Sequence, residues 1–168
     1  MRINLATGTA TDDAFLQETD NLALNATSSF RFYLKVSDMV FADAEELIIF
    51  SGESAAAYEF VVSINFTTAN GLRIGVGNET ASALTPLTQD VWHLVELTVN
   101  IDAGGGNDGD INWWIDGVAQ TAVSSLDQLA TTHFQLGAMD PTANMTSGIL
   151  LFDDFAQDSD RIFGTLPQ

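Results

Sequence analysis

The chain of 168 residues contains no cysteine, and this absence removes several kinds of stabilisation and chemistry at once. A chain without cysteine has no disulfide bonds, no thiolate nucleophile and no sulfur-ligated metal. Its stability must therefore come from a packed core, and 168 residues are enough to form one in a domain of ordinary size.

The chain also contains few basic residues. Only 5 lysines and arginines stand against 23 aspartates and glutamates, which gives a formal net charge of −18. Nucleic acids and anionic lipids bind through clustered basic side chains, so we expect neither kind of partner. An acidic, lysine-poor surface is compatible with cation binding and with a salty environment.

Long apolar runs are also missing. Residues 1–7 lack the basic segment and apolar run of a secretory signal, and no stretch approaches the length of a membrane span. We therefore expect no membrane insertion, and a chain that either is cytoplasmic at synthesis or has had an export signal removed.

Alternating apolar and polar residues predict β-strands along most of the chain. Residues 92–101 place every second side chain on one face, and residues 30–36 do the same. Turn residues such as Asn70-Gly71 and Asp116-Gly117 separate these segments. The pattern favours an all-β sandwich or barrel, with short helices possible only at 12–22, 42–47 and 125–130.

Several short motifs resemble those of the laminin-G-like, concanavalin-A-like jelly rolls. They are W-H-x-V-x-x-x-V from Trp92, W-x-I-D-G from Trp113, His133 to Gly137, and Gly148 to Phe155. The resemblance implies an all-β, two-sheet antiparallel jelly-roll sandwich, with residues 1–168 forming a single laminin-G-like domain.

The predicted interior follows from the alternation. It consists of Phe60, Val62, Ile64, Trp92, Val95, Leu97, Trp113, Ile115, Leu136, Leu151 and Phe155. Because alternation alone does not fix which face of each strand meets the core, we expect errors among these positions.

Two acidic segments are candidate calcium sites. The glycine-rich loop 102–110 offers oxygen ligands from Asp102, Asn107, Asp108 and Asp110, although a solvated hairpin tip explains the same composition. Asp153 and Asp154 form a carboxylate pair that either binds calcium or plays a structural part at the end of a strand. Calcium is the one cofactor that these residues suggest.

Aromatic side chains provide a candidate stacking surface for sugar rings. Trp113 and Trp114 must point to opposite faces of a strand, so one is buried and the other faces outward. Trp114 and Tyr33 are the predicted stacking residues. His93 shares a face with valines and is predicted to be a buried structural histidine.

No catalytic set is recognised along the sequence. The two histidines lack serine or cysteine nucleophiles, and no strand carries the paired acids of a jelly-roll glycosidase. The arginine, Gln-x-His and tyrosine set of jelly-roll polysaccharide lyases is not found either. The sequence therefore predicts that the chain is not an enzyme.

Two functions remain. The first is a non-enzymatic structural or display protein, such as a bacteriophage capsid decoration protein on the virion surface. It would contact capsid neighbours through its acidic face and could form a homo-oligomer. The second is an extracellular, calcium-assisted carbohydrate-binding module of a marine or halophilic microbe, whose partner is a glycan.

Overall fold

The computed structural model describes residues 1–5, 14–18, 27–41, 44–54, 57–101, 106–127, 131–139 and 147–158. Every regular element within these ranges is a β-strand. In this part of the chain no helix is long and apolar enough to cross a membrane.

Seven strands form the first sheet. They are β1 (Arg2–Leu5), β3 (Thr27–Val40), β8 (Trp92–Asn100), β9 (Gly109–Ile115), β10 (Val118–Ala119), β11 (Val123–Leu126) and β13 (Ser147–Asp158). Their order is β1-β13-β3-β8-β9-β10, and β11 also pairs with β9. All of these pairs are antiparallel.

Six strands form the second sheet. They are β2 (Ala14–Glu18), β4 (Glu45–Ser54), β5 (Ala57–Thr67), β6 (Gly71–Gly77), β7 (Ala81–Pro86) and β12 (His133–Met139). Their order is β2-β12-β4-β5-β6-β7, again antiparallel throughout. The predicted two-sheet antiparallel sandwich is confirmed.

The core lies between the two sheets and is rich in phenylalanine. The ring of Phe30 on β3 lies 5.1 Å from that of Phe50, 5.7 Å from Phe60 and 4.8 Å from Phe134, all on the opposite sheet. Edge-to-face and tilted contacts at these distances are favourable beyond the area that they bury. This cluster fixes one sheet against the other.

Most of the predicted interior is confirmed. The predicted interior residues that are buried in the structure are Phe60, Val62, Ile64, Val95, Leu97, Trp113, Ile115 and Leu136. The prediction is wrong for Trp92 and Leu151, which lie opposite Lys35 on the outer face of the seven-stranded sheet. It is only partly right for Phe155, whose ring packs against Phe30 and Phe50 but is 43% exposed.

The three possible helices are wrong where the structure describes them. Residues 14–18, 45–47 and 125–126 belong to strands β2, β4 and β11. Pairing with a neighbouring strand supplies their backbone hydrogen bonds, and this tertiary contribution overrides a weak local tendency to form a helical turn.

Candidate active site on the outer face of the six-stranded sheet

The outer face of the six-stranded sheet carries polar side chains that are buried. Ser51 on β4 and Ser63 on β5 have no exposed surface, and Glu53 on β4 is 8% exposed. The outer face of an antiparallel sheet ordinarily meets water, and polar groups removed from water need hydrogen-bond partners. The partners on this face define the candidate site.

The centre of the site is an imidazole and carboxylate pair. His133 begins β12 directly opposite Glu53 on β4, and its Nε2 lies 2.8 Å from Glu53 Oε2. The hydroxyl of Ser51 donates a hydrogen bond of 3.2 Å to the other carboxylate oxygen of Glu53. The carboxylate is therefore held between two strands and orients the ring.

The second nitrogen of His133 faces the exposed side of the pair. Its Nδ1 lies 3.1 Å from the hydroxyl of Thr132, an exposed residue. When Nε2–H donates to an ionised Glu53, the lone pair of the neutral ring is on Nδ1. The same hydroxyl donates a hydrogen bond of 3.2 Å to the backbone carbonyl oxygen of Glu53, so Thr132 helps to fix the orientation of the ring.

Tyr58 joins the same face through a β-bulge. The ladder between β4 and β5 pairs Gly52 with Phe60 but Glu53 with Tyr58, so Glu59 is an extra residue. Without the bulge, Tyr58 would point into the core together with Phe60. Tyr58, Glu53 and His133 form one row across three strands, which places the Cα atoms of Tyr58 and His133 roughly 10 Å apart.

An apolar patch lies beside this row. Ile48, Val61 and Met139 are buried on the outer face, and Tyr58 packs against them. Gln135 lies two residues from His133 on the same face of β12, opposite Ser51. The buried patch holds Tyr58 in place, and the polar side chains of the row lie beside it.

A separate polar group occupies the far end of the face. The Ser63 hydroxyl donates to Glu46, and Asn65 Nδ2 donates to the Ser63 hydroxyl at 3.0 Å. Arg73 on β6 is directly opposite Asn65. Asn65 lies seven positions along β5 from Tyr58, so this group is roughly 20 Å from the row that contains His133.

The predicted calcium loop is only partly described. Asp102 lies outside the described residues, while Asn107 and Asp108 are exposed. The Oδ1 atom of Asp110 accepts hydrogen bonds from the side-chain amides of Asn100, at 2.8 Å, and Asn112. These contacts tie Asp110 to β8 and β9, and calcium binding by the loop stays a prediction.

The second predicted calcium site is engaged in contacts within the protein. Asp154 Oδ2 forms an ion pair of 2.9 Å with Arg31, and Asp153 Oδ1 accepts a hydrogen bond from the backbone N–H of Asp154. The residues that the structure describes contain no group of three or more His, Cys, Asp or Glu side chains placed to hold a metal. Calcium at this pair also stays a prediction.

The predicted stacking residues lie on the other sheet, far from the candidate site. Trp113 is buried in the core and donates from Nε1 to the Thr121 carbonyl at 2.9 Å, whereas Trp114 faces outward, as predicted for this pair. Tyr33 shares that outer face but is 5% exposed, so its ring offers little surface to a ligand. Sugar stacking at Trp114 stays a prediction.

His93 has the predicted structural role. Its Nδ1 lies 2.8 Å from Asp116 Oδ2, and its Nε2 lies 3.0 Å from the Thr88 carbonyl oxygen. Asp116 also accepts a 2.8 Å hydrogen bond from the backbone N–H of Leu94. The ring therefore links a turn, a strand end and a loop inside the fold.

The sequence reasoning missed the row formed by Glu53, Tyr58 and His133. Alternation did place His133 and Gln135 on one face of a strand. It placed Tyr58 on the core face, since a single inserted residue reverses the alternation beyond it. A contiguous Gln-x-His motif also does not include Glu53, Tyr58 and His133, because these residues lie on three different strands.

Known structures share this fold over nearly the whole chain. The alginate lyase Aly36B has a TM-score of 0.66 at 10% identity, over 97% of this chain and 82% of that one. The endo-β-1,4-glucuronan lyase of Trichoderma reesei has a TM-score of 0.66 at 14% identity, over 95% and 80%. The alginate lyase of Aplysia kurodai has a TM-score of 0.60 at 11% identity, over 95% and 82%.

Sequence comparisons add nothing to these structural ones, because no protein-family model and no curated protein matches the chain. Identities of 10% to 14% show a shared fold alone. A variant of Aly36B has been solved with an alginate tetrasaccharide, so a protein of this fold holds an oligosaccharide.

These findings correct two predictions. The chain was expected to be a non-enzymatic structural or display protein of a capsid, and to lack enzyme activity. Both predictions are wrong, because the three proteins compared above, which share its fold, are polysaccharide lyases. The sequence reasoning did not find the row of Glu53, Tyr58 and His133, because its side chains come together only in the folded sheet. The fold that the chain shares with these lyases is an antiparallel jelly-roll sandwich of two sheets.

Proposed function

We propose that this protein is a polysaccharide lyase that cleaves a uronate-containing polysaccharide on the outer face of its six-stranded sheet. The observation that carries the proposal is the oriented pair of His133 and Glu53, with Tyr58 in the same row. The shared fold with alginate and glucuronan lyases supports the choice of substrate class.

The reaction needs two proton transfers at neighbouring atoms of one sugar unit. A base removes the C5 proton, the electron pair forms the C4=C5 double bond, the C4–O4 bond breaks, and O4 takes up a proton. We assign the first transfer to Nδ1 of His133 and the second to the hydroxyl of Tyr58. Glu53 stabilises the imidazolium that forms, as an orienting carboxylate does for a general base.

The glycan partner predicted from the sequence fits this proposal better than a capsid partner does. The hydroxyl groups of a sugar can meet the polar side chains of this row, and Tyr58 is supported from behind by the buried residues Ile48, Val61 and Met139. The narrower laminin-G-like assignment rests on the short sequence motifs and is retained as a proposal.

The test is an elimination assay on alginate, glucuronan and the alkyl esters of both. Cleavage creates a conjugated double bond that is followed by ultraviolet absorbance. We expect His133→Gln to lower the rate by about 10²-fold or more, the usual contribution of a general base. Because the chain has 2 histidines, His93→Gln is the matched control.

The control separates chemistry from folding. His93→Gln should lower the melting temperature but leave the rate unchanged when it is assayed well below that temperature. Absence of any unsaturated product from all four polymers would refute the proposed function. Equal rates for His133→Gln and the unaltered protein would refute the role assigned to His133.

A further inference from the structure

The supply of positive charge limits what the proposed site can accept. The chain has 5 basic residues: Arg2, Arg31, Lys35, Arg73 and Arg161. Arg2, Arg31 and Lys35 belong to strands of the seven-stranded sheet, and Arg161 lies outside the described residues. Of the four that are described, only Arg73 lies on the six-stranded sheet.

Arg73 is too far from His133 to act on the same sugar. It is paired with Asn65, seven positions along β5 from the row that contains Tyr58, His133 and Glu53. At about 3.3 Å per residue this separation is roughly 20 Å, which exceeds the reach of an arginine side chain. The neighbours of His133 are instead a carboxylate, Glu53, and a neutral amide, Gln135.

A free uronate would be badly placed beside this row. Its carboxylate would face Glu53 without an opposing cation from the described strands, and removal of the C5 proton would add further negative charge to it. Stabilising the charge that develops in the transition state is usually the largest part of catalysis in such a reaction. An alkyl ester has no charge to neutralise, and its C5 proton is more acidic than that of the carboxylate.

We infer that the substrate of this site is a uronate polysaccharide whose carboxyl groups at the cleaved unit are esterified. The inference rests on the proposed lyase function and deepens it. The Gln135 amide supplies a neutral hydrogen-bond donor two residues from His133, which suits the carbonyl oxygen of an ester. The elimination itself is unchanged, with the C5 proton taken by His133 and O4 protonated by Tyr58.

The experiment compares each ester with the free acid of the same chain length. Alkyl-esterified alginate and glucuronan are assayed before and after mild alkaline removal of the ester groups. We expect elimination to be at least 10-fold faster on the esters. Added sodium chloride should speed the reaction of the free acids and leave that of the esters unchanged, because screening relieves only the repulsion between like charges.

The outcomes separate the two proposals. Rates on the free acids that equal or exceed those on the esters would overturn the ester inference and leave the lyase function standing. Product from none of the polymers would overturn the lyase function itself. A rate on the esters that rises with salt as steeply as that on the free acids would also contradict the inference.

Discussion

At the scale of single residues, two histidines of the same chain have different roles because of what surrounds them. His93 contacts an aspartate and a carbonyl inside the fold, and Leu94 N–H shares that aspartate. His133 contacts Glu53 through one nitrogen and an exposed hydroxyl through the other. The first arrangement stabilises a turn, and the second places Nδ1 beside an exposed residue, which is the nitrogen that the proposed function uses for proton transfer.

We expect Asp116→Asn to lower the free energy of unfolding by about 1–3 kcal/mol, because it removes the charge that His93 contacts. Asparagine tolerates the φ of 52° at this position, so backbone strain does not confuse the result. Denaturant unfolding measures the change. Asp127→Asn, at an exposed position, removes the same charge and serves as the control. Equal stability of the two variants would contradict the prediction.

At the scale of elements, close packing between the sheets restricts side-chain size at Gly52 on β4. A Cβ atom there would lie 2.2 Å from Phe60 Cε1 and 2.7 Å from Thr131 Cγ2. The Phe60 ring has little room to move, since the rings of Phe30 and Phe50 are both centred 5.7 Å from it. The strand can cross the aromatic cluster only because residue 52 has no side chain.

Gly52→Ala should therefore destabilise the protein by about 1–3 kcal/mol, the usual cost of overpacking a core. Gly106→Ala is the matched control, because a Cβ atom there meets nothing within 4 Å. Thermal unfolding of both variants, compared with the unaltered protein, measures the difference. A Gly52→Ala variant that melts together with Gly106→Ala would show that the aromatic cluster adjusts freely.

The strands differ in how well the sequence alone predicts them. Strands β3, β8 and β9 were predictable because their alternation is regular: Phe32 and Leu34 are buried, whereas Lys35 faces outward. The short strand β2 was not, since five residues carry too little pattern to exclude a helical turn. Tyr58 was placed on the wrong face because no local signal marks the bulge at Glu59.

At the scale of the whole molecule, charge is the dominant property. A formal net charge of −18 makes the folded chain repel itself at low ionic strength. The three described cations on the outer face of the seven-stranded sheet, Arg2, Arg31 and Lys35, offset little of this charge. The same excess of negative charge makes a polyanionic substrate unfavourable, which agrees with the proposed preference for esters.

We expect the melting temperature at neutral pH to rise by several degrees as sodium chloride is added from low concentration, because salt screens this repulsion. A domain of this size gains about 2–4 °C for each kcal/mol of stability. The control is the same titration near pH 4.1, the sequence pI, where the net charge is small and the effect should shrink. An equal response to salt at both pH values would contradict the prediction.

The two-sheet sandwich was implied by the resemblance of short motifs to those of known jelly rolls. The sequence by itself determined the all-β class, most of the interior and the acidic character. These follow from the period of two in the side chains and from simple counts, both of which are local properties. Tertiary structure alone decided that Glu53, Tyr58 and His133 share a row, since that depends on strand order, register and one bulge. Residues far apart in the chain meet only when the sheet pairs, and pairing is specified by the whole core rather than by any single segment.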